Sequence, residues 1–231
     1  MILYQLENGY RYNSDTLFLY DFISKNRLSG NVLDAGCGCG ILGLLLKNDF
    51  KNIALTSLDI QAINTQITKF NAKQNNLDVT TICANFNEFK SEIKFDIVVS
   101  NPPFYSDDIP KSQNEHINLS RYSQSLDFRD MLRSVNAIIK PKGSFYFCYD
   151  ARRICEVMQG LCEFKFNLTK LRFVHAKANS ASKLALFEAK KSSKSKCEIL
   201  PSLVMFDGEN YGKEASEIFA KSNTKSEIYK C

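Results

Sequence analysis

Two short stretches of the chain combine residue types that could do chemistry: Asp34-Ala35-Gly36-Cys37-Gly38-Cys39-Gly40 and Asn101-Pro102-Pro103-Phe104. In the second, an amide is followed by two rings that lock φ near −65° and then by an aromatic face. A plain turn needs no such stiffness. It suits acceptors that must be held still. Asn101 Oδ1 and the Pro102 carbonyl can take the two hydrogens of an exocyclic amine and draw its lone pair out of conjugation, toward an electrophile. Phe104 then offers the base a stacking face worth roughly 1–3 kcal/mol. Such chemistry runs on positioning and electrostatics and requires no strong general base. His116 and His175 are therefore read as incidental polar residues.

The first stretch joins a strand-like run, NVLDAG, to a helix-like run, ILGLLLKN. Gly36, Gly38 and Gly40 let the backbone turn sharply and come close to a ligand. Gly38 to Gly43 also satisfies the G-x-G-x-x-G pattern of dinucleotide sites, so the loop alone does not name its ligand. Asp34 tilts the reading toward S-adenosylmethionine, because a carboxylate suits an ammonium group and repels a pyrophosphate. Asp59, which ends the next strand in LTSLDI, can accept both ribose hydroxyls, as in NAD proteins, or cap a helix. Ile60 beside it joins the cofactor-binding set. Asn85, after a third strand, is read either as a reader of the adenine edge or as a turn residue.

Around these stretches, short β-rich runs alternate with helical patterns, which predicts a parallel sheet with helices on both faces. Phe128, Met131, Leu132, Val135, Ile138 and Ile139 recur at helical spacing over 127–140, with Asp127 as N-cap and Lys140-Pro141 as stop. LTKLRFVHAK and KLALFEAKK read as strands pairing antiparallel at a sheet edge. A short strand near SLVMF and a closing helix over about 213–221 follow.

With 231 residues the chain has room for one large core and a small appendage. No apolar run approaches the roughly 18 residues that span a bilayer, and the N-terminus does not read as a signal peptide, so a cytoplasmic, membrane-free protein is expected. Its 8 cysteines show no C-x-x-C spacing and are read as reduced thiols, with no metal site. The net charge of +5 draws on Arg152, Arg153, Arg172, Lys177, Lys183, Lys190, Lys191, Lys194 and Lys196. These read either as a solvated surface or as a nucleic-acid footprint.

The glycine loop, Asp59 and SNPPFY, in this order, resemble the class I S-adenosylmethionine-dependent methyltransferases with an N-P-P-[FYW] motif. YRYNSDTLFLYDFI, SRYSQSLDFRDML and LVMFDGENYGKEASEIF extend the likeness to the tRNA1(Val) adenine-N6 methyltransferases. The resemblance implies a Rossmann-like α/β fold: a central, mostly parallel seven-stranded sheet with one antiparallel edge strand. It implies one methyltransferase domain, with an N-terminal helical cap over 1–29, a catalytic core over 30–190 and a C-terminal strand and helix extension over 191–231. Asp34, Gly36, Gly38 and Gly40 would cradle the methionine part of the cofactor, Asp59 the ribose, and Asn101, Pro102, Pro103 and Phe104 the target amine. Asp15 matches an acid that helps close the cofactor site, and Tyr105 and Arg121 fall where substrate would enter, with Tyr122 beside them. Asn85, where Asp is more usual, and Cys37 and Cys39 depart from the family pattern.

The implied reaction is N6-methylation of an adenine in tRNA, the adenosine 3′ of the anticodon, with no obligate protein partner. A glutamine-N5 protein methylase shares the clamp and is the rival reading. A non-catalytic S-adenosylmethionine or RNA-binding protein and a nicotinamide oxidoreductase stand behind it.

Overall fold

A computed structural model describes residues 1–9, 11–103 and 127–230. Phe104, Tyr105, His116, Arg121 and Tyr122 lie outside the described residues. The chain begins with β1 (Ile2–Leu6) and α1 (Ser14–Ser24), whose Asn13 cap accepts from Asp15 N. Then β2 (Gly30–Ala35), α2 (Ile41–Asp49), β3 (Ile53–Asp59), α3 (Ala62–Gln74), β4 (Val79–Cys83) and β5 (Phe95–Ser100) give the expected alternation. α4 (Phe128–Ile138) is capped by Asp127, which accepts from Arg129 N and Asp130 N. Its five apolar residues Phe128, Met131, Leu132, Val135 and Ile138 are all buried. The helix ends before the expected Lys140-Pro141 stop, because Ile139 swings to ψ 144° and pairs with Phe95 as the start of β6 (Ile139–Asp150).

After β6 come a 3₁₀ turn (Ala151–Arg153), α5 (Ile154–Glu163), β7 (Phe166–His175) and β8 (Leu184–Lys191). The chain closes with the short strands β9 (Glu198–Ile199), β10 (Leu203–Val204), β11 (Phe206–Asp207) and β12 (Asn210–Tyr211), then α6 (Lys213–Ser222) and β13 (Lys225–Tyr229). The main sheet runs β10-β7-β8-β6-β5-β2-β3-β4, with β9 also on β7, and holds nine strands. Its heart is the Rossmann-like set of seven. β7 and β8 form the expected antiparallel pair at one end, with the reversed strand β8 inserted between β6 and β7.

Strand alternation sorts the core into two layers. Val32, Ile97, Val99, Tyr146 and Cys148 pack with α1 and α2, while Leu33, Val98, Phe145, Phe147 and Tyr149 pack with α4 and α5. No helix among the described residues is long and apolar enough to cross a membrane.

The segment 1–29 is not purely helical, since β1 pairs in parallel with β13 from the opposite end of the chain. Asn71 of α3, with no exposed surface, fastens this pair. Its Oδ1 accepts from Tyr4 N at 2.8 Å, and its Nδ2 donates to Tyr4 O at 3.0 Å and to Cys39 O at 2.8 Å. Arg172, counted above among the cations of a possible footprint, is instead 6% exposed. It bonds Pro201 O and Glu214 and so holds α6 to β7.

Asn71→Ala strands a buried N–H and two carbonyls, each costing roughly 1–3 kcal/mol. Urea unfolding should therefore show it about 2–4 kcal/mol less stable, with Asn75→Ala, at the exposed end of the same pair, losing much less.

Candidate active site

The strand order reverses about β2, which has β3 on one side and β5 on the other. In an open parallel sheet, ligands bind outside the carboxyl ends at such a point, and both sequence motifs end there. Ser100 Oγ donates to Ala35 O at 2.7 Å and so ties the residue before Asn101 to the strand before Gly36. Gly36 N and Cys37 N both donate to Leu58 O, at 2.8 and 3.0 Å. Gly38 N donates to Asp59 Oδ2 at 2.9 Å, while Asp59 Oδ1 accepts from Gln61 N at 2.9 Å and Asn64 Nδ2 at 3.1 Å. Asp59 is not the cap of α3, a position held by Gln61. Of its about four acceptor positions, the chain occupies three, leaving one for a ligand hydroxyl.

The glycines divide by what surrounds them. Gly36 and Gly38 have φ of +75° and +55°, and a Cβ on either would meet nothing within 4 Å, so both face open space. Gly40 serves packing, since a Cβ there would lie 2.7 Å from Thr68 of α3. Gly43, which the sequence showed only as part of a dinucleotide-like pattern, is needed because a Cβ would lie 2.8 Å from Asp34 Oδ2.

That oxygen accepts from Gly43 N at 3.0 Å, and Asp34 is 1% exposed. Burial, aided by the Asp59 carboxylate, pushes the Asp34 carboxyl up to about 7 against the pull of the Gly43 N–H. Asp34, Gly36, Cys37, Gly38, Cys39 and Asn101 line one cleft with Tyr12 and Thr16. Asp15 is half-buried and not among the residues that line this cleft; it accepts from Asn13 Nδ2 at 3.1 Å, and burial raises its carboxyl above the ordinary value. Pro102 is buried and Pro103 half-buried. Ile60 is 52% exposed, a bare apolar face beside Asp59. Asn85 is half-buried and engaged in its own turn: Oδ1 accepts from Asn87 N at 3.0 Å and Nδ2 donates to Glu88 at 3.2 Å.

Residues 11–120 match the model of the Methyltransferase small domain. The Ribosomal RNA small subunit methyltransferase C of Haemophilus ducreyi is 40% identical over 91 residues, 39% of this chain and 27% of that protein. The chain thus spans about a quarter of the length of that relative. The tRNA1(Val) (adenine(37)-N6)-methyltransferase of Phocaeicola vulgatus is 28% identical over 175 residues, covering 73% of this chain and 72% of that one. Among solved structures, a predicted O-methyltransferase of Agrobacterium tumefaciens superposes with TM-score 0.69 at 13% identity, over 93% of this chain and 100% of that one. This is the class I methyltransferase fold.

S-adenosylmethionine is the cofactor of class I methyltransferases, and the cleft fits it. The open faces of Gly36 and Gly38 would leave room for the amino-acid part, Asp34 would supply a carboxylate for its ammonium, and Asp59 and Ile60 would supply an acceptor and an apolar face for the nucleoside. A second groove, between Asp96, Lys140, Gly143 and Glu188, opens at the amino ends of the strands.

Register also divides the basic residues of the chain. Ser144, midway along β6, pairs with Lys190, and Asp150, at its end, with Leu184, so Lys190 and Lys191 lie about 20 Å from the carboxyl end of the strand. Both are engaged there, Lys190 with Glu188 and Lys191 with Asn136 O. Arg152 and Arg153 follow β6 directly, and Lys177 and Lys183 sit between β7 and β8, all at the carboxyl end.

Because Asp34 sits near 3.8 unfolded and about 7 folded, the native protein keeps a proton that the unfolded chain releases. Its contribution to stability is therefore lost as pH rises from about 4 to 7. The unliganded Asp34→Asn protein should escape this loss. Between pH 5 and 8 it should gain about 2–3 kcal/mol relative to wild type in urea unfolding.

Proposed function

We propose that this chain transfers a methyl group from S-adenosylmethionine to the exocyclic N6 amine of an adenine in tRNA, the adenosine 3′ of the anticodon of tRNA1(Val). The observation that carries the reading is Asn101, directly after the strand next to β2 and lining the same cleft as Asp34, Gly36 and Gly38. The cofactor supplies an electrophilic methyl on a sulfonium.

The protein's own residues do the rest by holding. Asn101 Oδ1 and the Pro102 carbonyl accept the two amine hydrogens and favour the pyramidal nitrogen of the transition state. The two proline rings stop those acceptors from relaxing toward the planar ground state. Phe104, Tyr105 and Arg121, which lie outside the described residues, are proposed to stack on the base and to contact the substrate. An amine losing a proton as it gains a methyl releases it to water, so no histidine is required.

The tRNA reading is supported by the extent of likeness: the adenine-N6 relative aligns over 72% of its own length, the rRNA relative over 27%. Both act, by name, on RNA. Arg152, Arg153, Lys177 and Lys183 lie at the same carboxyl end of the sheet as the cleft, Arg152 paired with Asp150 and Arg153 with Glu156, and are the cations proposed to meet phosphate. The late lysines at the amino end are not.

Labelled cofactor incubated with unmodified tRNA or with a release-factor protein should label only the tRNA, and nucleoside analysis should find N6-methyladenine. Label in the protein alone would replace this reading with the glutamine methylase. Asn101→Ala should lower kcat by about 10²–10³-fold, as loss of an oriented acceptor does, with cofactor affinity unchanged.

Affinity for tRNA should fall linearly with log salt, by a slope of about 0.9 per phosphate neutralised. Arg152→Gln with Lys177→Gln and Lys183→Gln should flatten that slope in filter binding, whereas Lys190→Gln with Lys191→Gln should not.

A further inference from the structure

Asn101 is gripped at both ends of its amide. Nδ2 donates to Thr16 Oγ1 at 2.8 Å, and Oδ1 accepts from Cys148 Sγ at 2.9 Å. Thr16 belongs to the first turn of α1 and is 4% exposed. Cys148 belongs to β6 and has no exposed surface. We propose that Cys148 and Thr16 are positioning residues that fix which end of the Asn101 amide faces the substrate, so that Asn101 can act only as an acceptor there. The proposal rests on the amine-methylation reading of Asn101.

An amide at the end of a side chain turns about a broad, two-fold torsion, and its oxygen and NH₂ ends have nearly the same shape. Turned the wrong way, Asn101 would present two N–H donors to an amine that is itself a donor, and the contact that makes the nitrogen nucleophilic would be lost. Shape alone cannot prevent this, but hydrogen bonding can. A thiol donates, and as an acceptor it is weak, so Cys148 distinguishes the oxygen from the NH₂. Burial, followed by the nearby Asp15 carboxylate, pushes the Cys148 thiol well above its ordinary value, which keeps the donor proton in place. Thr16 takes the other end. An amide oxygen has two lone pairs, and the thiol uses one.

The grip follows from strand alternation. Ile97 and Val99 point to the α1 side of β5, and Asn101 continues that series. Tyr146 and Cys148 do the same on β6, where Ser100 pairs with Phe147. Asn101 and Cys148 therefore meet side by side under α1.

The test compares Cys148→Ala, Cys148→Ser and Thr16→Val with wild type for kcat on tRNA, cofactor Kd, and the ¹⁵N side-chain amide signals of Asn101, identified by their loss in Asn101→Ala. Cys148→Ala should lower kcat about tenfold with cofactor Kd unchanged, and should shift or double the Asn101 amide signals. Cys148→Ser, which restores a donor, should recover most of kcat and a single set of signals. Thr16→Val should disturb the same signals, which keeps the test open if Cys148→Ala fails to fold. Wild-type kcat and signals in Cys148→Ala would overturn the proposal, as would a Cys148→Ser enzyme as slow as Cys148→Ala with signals like those of wild type. A wild-type protein that methylates no RNA would sink the functional reading instead, and the amide signals would still decide the positioning role.

Discussion

Parallel pairing of β2, β5 and β6, which sets Asp34 opposite Val99 and Ser100 opposite Phe147, is the constraint on which the rest of this structure depends. It makes the side-chain alternation of three strands coincide, so Asp34, Asn101 and Cys148 emerge on one face although they lie far apart in the chain. α1 covers that face and contributes Thr16. The reversal of order about β2 leaves a crevice in which the glycine loop turns over the sheet. A one-residue slip of β5 against β2 would turn Asn101 toward α4 and α5 and leave the cleft without its acceptor.

Local signals made much of this legible from the sequence. The β-α alternation, the Asp127 cap, the apolar stripe of α4 and the order of the two motifs all depend on residues within a few positions of one another, and the fold keeps them. What escaped was set by contacts between distant segments. Cys148 read as one apolar residue among SFYFCY, and nothing near it in sequence announces Asn101. Thr16 looked like a helix residue, and Gly43 like part of a cofactor fingerprint, until Asp34 was seen 2.8 Å from where its Cβ would be. The pairing of β1 with β13 joins the two ends of the chain through strands too short to announce a partner. Charge likewise depends on distant pairing: Arg152 and Lys190 fall in one basic-rich half of the sequence, but the strand direction of β8 carries Lys190 to the amino end of the sheet while Arg152 stays at the carboxyl end.

The terminal strands also reach the cleft. Asn71 bonds both the backbone of β1 and the carbonyl of Cys39 in the glycine loop, while Thr68 of the same helix donates to Gly38 O at 2.9 Å. One face of α3 thus holds the loop, and the same helix holds the strap formed by the chain ends. The loop itself has little to rigidify it, since two of its glycines face open space. Its stiffness is borrowed from α3 and from Asp59, which makes the preorganisation of the cofactor site a property of the second βα unit.

With Asn101 as the proposed acceptor, the electrostatics of the site give a reason for an amide at that position. Asp34 is already pushed up to about 7 by burial with Asp59 nearby, and Asp15 is raised behind Thr16. A further carboxyl at position 101, among these groups and sealed against Cys148, would face the same desolvation and like-charge repulsion. It would hold its proton and become a donor where an acceptor is wanted. An asparagine carries the same oxygen on the same skeleton with no charge to lose. Its weakness is that it can turn over, and the thiol and hydroxyl that flank it remove that weakness without adding a charge.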